Sequence, residues 1–138
     1  MFRAFVFLCL SLLLTACGRP SYNDYAREDT PLLHAFMTGN LQTARDALLA
    51  QEKLLEKHES LGNRGIDYLG ARQVLYGNLC GLCVHLGNTN EAKSYFRKYV
   101  ANSPNKNISF DELIAAAEKH HRRINPKWMQ DLPSPNPP

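Results

Sequence analysis

The hexapeptide Gly39-Asn40-Leu41-Gln42-Thr43-Ala44 returns 48 residues later as Gly87-Asn88-Thr89-Asn90-Glu91-Ala92, and a large apolar residue, Leu48 or Phe96, stands four places beyond each alanine. This internal repeat constrains the fold more than any other feature of the chain. In each copy glycine ends one helix, asparagine caps the next, alanine lets two backbones cross closely, and the bulky residue fills the space beyond. Such a sequence builds helical hairpins.

The rest of the chain agrees, because no alternating β-branched stretch is long enough for a strand. The fold class is all-α, a compact bundle of about five helices over residues 30–131. Thr30-Pro31 reads as an N-cap with proline at the first helical position, opening a short helix that Gly39 stops. Asn40 caps a second helix to about Glu59, with Leu41, Ala44, Leu48 and Leu55 on one face. Gly62 and Gly65 bracket the next turn. A third helix is expected over about Ile66 to Leu86 and a fourth from Thr89 to about Ala101. Ser109-Phe110-Asp111-Glu112 is a capping box opening a fifth that ends near Arg123.

The third helix stands apart. Gly70, Gly77 and Gly81 fall on one stripe with Val74, Val84 and His85, while Leu75, Tyr76, Leu79, Cys80, Leu82, Cys83 and Leu86 occupy the rest. It is apolar nearly all round and must be central. Each interior glycine costs about 1 kcal/mol against alanine, so three require a reason. Either the stripe admits the second helix at short range, or Gly70, Val74, Gly77, Gly81, Val84 and His85 line a shallow groove for a partner's peptide or helix.

Tyr76, Leu79, Cys80, Cys83, Gly87, Ala92, Phe96, Tyr99 and Pro104 lie at spacings that resemble a tetratricopeptide repeat, over roughly Gln73 to Lys106. The 48-residue offset exceeds that family's period, and only one copy matches well, so the resemblance implies a compact bundle of tetratricopeptide-like hairpins rather than a superhelix. Thr30-Pro31-Leu32-Leu33-His34-Ala35 also looks like an ankyrin opening, though its histidine is one place late. In the tetratricopeptide family the first helix of each hairpin lines the binding surface, which here is the glycine-bearing helix.

Ahead of the domain, one charge, Arg3, precedes 13 mostly apolar residues from Ala4 to Ala16, too few for a spanning helix, which needs about 20. The run ends in Leu14-Thr15-Ala16-Cys17, which resembles a bacterial lipobox. That resemblance implies a cleaved signal over 1–16, diacylglyceryl transfer to Cys17 and, since Gly18 is not aspartate, an outer-membrane lipoprotein facing the periplasm. Residues 17–29 read as a polar tether. Residues 132–138 hold four prolines in seven and read as an extended tail.

Once the signal leaves with Arg3, formal charge falls from +3 to +2, which gives no electrostatic case for nucleic acid. Cys80-Gly81-Leu82-Cys83 invites a thiol-redox or metal reading, but the pair sits mid-helix, without the helix start that depresses a thiol pKa. Zinc would need His120-His121 or His85, which point away from one another or from the thiols. Lys119, His120, Arg122, Arg123 and Lys127 form the one basic cluster, either a solvated helix end offsetting the dipole or a contact patch for an acidic partner. No catalytic nucleophile with a base, glycine-rich phosphate loop or carboxylate pair in a recognisable catalytic setting is present, and Asp111-Glu112 reads as first-turn carboxylates that stabilise the helix dipole. The expectation is a lipid-anchored adaptor or assembly factor that binds an envelope protein, not an enzyme, with no cofactor or metal. The alternatives are a redox or metal protein using Cys80 and Cys83, a structural lipoprotein, or an immunity-type protein.

Overall fold

In the computed structural model, which describes residues 18–129, four of five helices begin at a side chain that accepts their first free amides. Helix α1 runs Tyr22–Thr38, α2 Leu41–Ser60, α3 Tyr68–His85, α4 Thr89–Asn102 and α5 Phe110–Ile124, and a 3-10 turn follows over Pro126–Met129. Among the described residues there is no strand, so the domain is an all-α bundle. None of its helices is long and apolar enough to cross a membrane. The expected signal 1–16, Cys17 and the tail 132–138 lie outside the described residues.

Helix α1 corrects the expected tether over 17–29. It starts at Tyr22, because Ser21 and Asp24 form a reciprocal capping box like that of Ser109 and Glu112 in α5. Thr30-Pro31 is therefore interior. Pro31 is exposed, so the carbonyl it leaves unpaired faces water, while Thr30 Oγ1 donates to the carbonyl of Ala26 at 2.7 Å.

The two repeat copies turn differently. Asn40 Oδ1 accepts from Thr43 N at 2.8 Å, but Asn88 makes no side-chain cap, which corrects the expectation that both asparagines cap. Gly87 adopts φ 77°, whereas Gly39 is extended and is needed for its missing β-carbon, which would stand 2.7 Å from the Ala35 carbonyl. What the copies share is packing, for Ala44 and Ala92 have no exposure at all.

Successive helices pair as hairpins, α1 with α2 and α3 with α4, while α2 and α5 also lie against α3. Helix α3 is central as expected: every residue from Leu75 to Cys83 is buried. Glu52 of α2 accepts from Tyr76 Oη (3.0 Å) and Lys98 Nζ (2.9 Å), and Arg45 donates to Glu91 at 2.5 Å, so α2, α3 and α4 are also tied at their rims.

The glycine stripe admits α5 and a side chain of α4, not the second helix. A β-carbon at Gly81 would stand 2.7 Å from Ala117 Cβ and 3.0 Å from the His121 ring, and one at Gly77 would rest 3.4 Å from the Tyr99 ring. Beyond α5 the chain folds back onto the bundle through Trp128, which is 2% exposed. Trp128 Nε1 (2.8 Å) and Asn125 Nδ2 (3.1 Å) both donate to the Gly39 carbonyl, and the indole packs on Phe36 at 5.5 Å. The end of α5 is thereby latched to the first turn of the repeat.

These distances separate the two glycines. Gly81→Ala is expected to destabilise by about 1–3 kcal/mol despite its better helix propensity, because neither Ala117 nor the buried ring can yield. Gly77→Ala, in ordinary contact, is expected to be neutral or to stabilise by up to about 1 kcal/mol. Urea unfolding of the two variants checks both.

Candidate functional site

Helices α1 and α3 diverge over the side chains of α2, leaving an open groove of about 310 Å³. Tyr25, Asp29, Leu33 and Phe36 recur at helical spacing along the α1 wall, and Gly70, Ala71, Val74, Leu75 and Asn78 along the α3 wall. Leu48, Gln51 and Leu55 form the floor. The lining is mainly apolar. Its one carboxylate, Asp29, accepts from Gln51 Nε2 at 2.7 Å and so has a fixed position. At the rim Leu33 remains 44% exposed and Val74 65% exposed, although both belong to helices that bury their other faces. Gly70 keeps the α3 wall low because Asp67, which accepts from Gly70 N to cap α3, already occupies the space a β-carbon would need.

Val74 is also a crest between this groove and a shallower recess of about 260 Å³ bounded by Gln73, Gly77, Asn78, Tyr99, Leu113, Ala117 and His120. The six expected groove residues therefore do not form one continuous site. Gly70 and Val74 line the main groove, Gly77 lies in the recess, and Gly81 is covered by α5. Val84 is half-buried against the core, and His85 is half-buried with its ring 5.7 Å from that of His121. Half of the α1 wall, Tyr25 and Asp29, lies ahead of the helix start that Thr30-Pro31 suggests. The signal for the true start was the Ser21-Asp24 capping pattern.

The basic cluster divides in the same way. Lys119, Arg123 and Lys127 are exposed and make no ion pair among the described residues, and His120 is half-buried at the edge of the recess. Arg122 pairs with Glu118. His121, in the middle of the basic run, turns inward and is fully buried. Its Nε2 meets Asn78 Oδ1 at 3.1 Å, so this nitrogen carries the proton and Nδ1 remains a buried acceptor without a donor. Burial foremost, then the neighbouring His85 and His120, lowers the His121 pKa to about 3. Burial lowers that of His85 as well.

Cys80 and Cys83 have no exposure and are both free. The Cys80 thiol donates to the Ala92 carbonyl at 3.2 Å, which makes it part of the α3–α4 crossing. Burial pushes the thiols up to about 12 for Cys80 and about 11 for Cys83, opposite to what a nucleophilic thiolate requires. Among the described residues no three His, Cys, Asp or Glu side chains come together to hold a metal.

Two outcomes follow from these environments. Cys80 and Cys83 should remain unmodified by maleimide in the native protein and react only on unfolding, as counted by mass spectrometry. Above pH 6.5 His121 is neutral in both states and contributes no pH dependence. Below it the unfolded chain takes a proton that the folded chain refuses, so stability falls as pH drops toward the folded pKa, by about 1.4 kcal/mol per pH unit for one such proton. Between pH 6.5 and 5 the stability of the native sequence should decline relative to His121→Gln, as read from paired urea titrations. Comparison with known proteins finds no matching family model, no matching curated protein and no matching solved structure.

Proposed function

We propose that the chain is a lipid-anchored envelope protein of the tetratricopeptide-like hairpin kind, acting as an adaptor or assembly factor that holds a segment of another protein. The observation that carries this reading is the pair Leu33 and Val74, exposed on facing walls of an apolar groove. Apolar side chains left unburied on both sides of a concavity favour a ligand that buries them, and a mostly apolar lining with few polar groups suits a peptide or helix presenting two or three apolar side chains. The fixed Asp29 selects a basic group at one position of that segment. The lipobox supports an anchor through lipid on Cys17, and Gly18 supports the outer membrane with the domain facing the periplasm. The exposed cations Lys119, Arg123 and Lys127 at the end of α5 would steer an acidic partner surface.

Crosslinking and capture from intact envelopes with the full lipoprotein tests this reading. Leu33→Asp with Val74→Asp is expected to remove a specific partner while changing stability by no more than about 0.5 kcal/mol per site, since both residues sit on the surface. Undiminished capture by the double variant would refute the groove as the binding site. Cys17→Ser should leave the domain folded and move it out of the membrane fraction.

A further inference from the structure

Tyr22, Leu61 and Leu69 are 56%, 50% and 57% exposed, and all three lie at one end of the bundle, where α1 begins, α2 ends and α3 begins. That end is a fixed surface. Asn63, buried in the α2–α3 loop, donates through Nδ2 to the Ser21 carbonyl at 2.8 Å and meets His58 Nδ1 at 3.1 Å. Tyr68 Oη donates to the Asn63 carbonyl at 2.9 Å, Gly65 packs against Tyr22 Cβ, and Arg19 runs beside Gly62. Most carboxylates here are engaged: Asp24 by the Ser21 cap and Arg27, Glu28 by Lys57 and His58, Glu59 by Arg72, and Asp67 as the cap of α3, while the exposed Glu56 and Asp111 make no ion pair among the described residues. Arg19 and Arg64 are exposed and make no ion pair among the described residues. The surface therefore combines three apolar side chains with two guanidinium groups, those of Arg19 and Arg64, that no carboxylate engages.

Cys17 is one peptide bond from Gly18, and four steps of extended chain, about 14 Å, separate it from the Ser21 cap. With α1 starting at Tyr22, the anchor has no long tether. We infer that this end of the bundle, Arg19, Tyr22, Leu61, Arg64 and Leu69, is a bilayer-docking surface that seats the domain on the leaflet holding its lipid. The inference rests on the lipid anchor proposed above. Tyrosine favours the interface between headgroups and acyl chains, leucine the acyl boundary, and arginine reaches the lipid phosphates, so composition and position agree on one occupant. Seated this way, the groove opens beside the membrane at its Tyr25 and Gly70 end and runs away from it toward Phe36 and Asn78.

The test uses the full lipoprotein, purified from membranes and reconstituted in phosphatidylethanolamine and phosphatidylglycerol vesicles, with a nitroxide on Leu69→Cys or, at the opposite end, on Asn88→Cys. The buried Cys80 and Cys83 are expected to take no label in the folded protein. The expected result is flotation with the vesicles, with collision of the Leu69 nitroxide with an aqueous nickel chelate reduced several-fold relative to the Asn88 nitroxide. Adding Leu61→Glu and Arg64→Glu should restore that collision without loss of flotation. Failure to float would overturn the anchor and the docking with it. Flotation with both nitroxides equally open to water would overturn the docking alone, as would protection that appears only at high protein density, which would place a second copy on this surface.

Discussion

A helix that is apolar on nearly every side cannot be left in water, and α3 is such a helix. Everything else in the domain is arranged to cover it. Helices α2 and α4 enclose the side carrying Leu75, Leu79, Leu82 and the thiols, with alanines at the crossings. The remaining side holds Gly77 and Gly81, where α5 approaches so closely that Ala117 leaves no room for a methyl group. Without the glycine stripe α5 would stand off, Trp128 and Asn125 would no longer reach the Gly39 carbonyl, and the ring of contacts that joins the two ends of the domain would open.

Covering is complete only over the C-terminal half of α3. Helix α5 lies on Gly81 and brings His121 into the core, while the N-terminal half, from Gly70 to Val74, faces a gap because α1 leans away over α2. The groove is thus a product of incomplete packing on one helix, not of a separate binding module. This accounts for a central helix that has nine consecutive buried residues and still carries a valine as exposed as Val74.

Much of this was legible from residue patterns. The repeat located two helix starts, the Ser109-Glu112 pair a third, and the apolar circumference of residues 75–83 the centre of the bundle. The first helix was misjudged because Thr30-Pro31 carries the local chemistry of a helix start; an exposed proline in mid-helix is tolerated when water satisfies the carbonyl it abandons, and only tertiary contacts decide between the two. The candidate site was legible in part for a related reason. Periodicity identified the α3 stripe, but which helix would cover which glycine depends on the path of the chain after residue 102, and no local signal encodes that path. His121 shows the limit most plainly: it lies within a run of basic residues, yet its ring faces Gly81, where the absent side chain leaves it room.

The buried pair Cys80 and Cys83 bears on the order in which the domain must assemble. β-carbons three apart on a helix are about 5–6 Å apart, beyond the span of a disulfide, so oxidation of the two thiols requires that α3 be unwound locally. In an oxidising compartment the unfolded chain is the vulnerable species and the folded one is protected. There, formation of α3 and its crossing with α4 at Ala92 would have to outpace thiol oxidation. A chain oxidised too early would carry a covalent knot in the helix on which every other element rests.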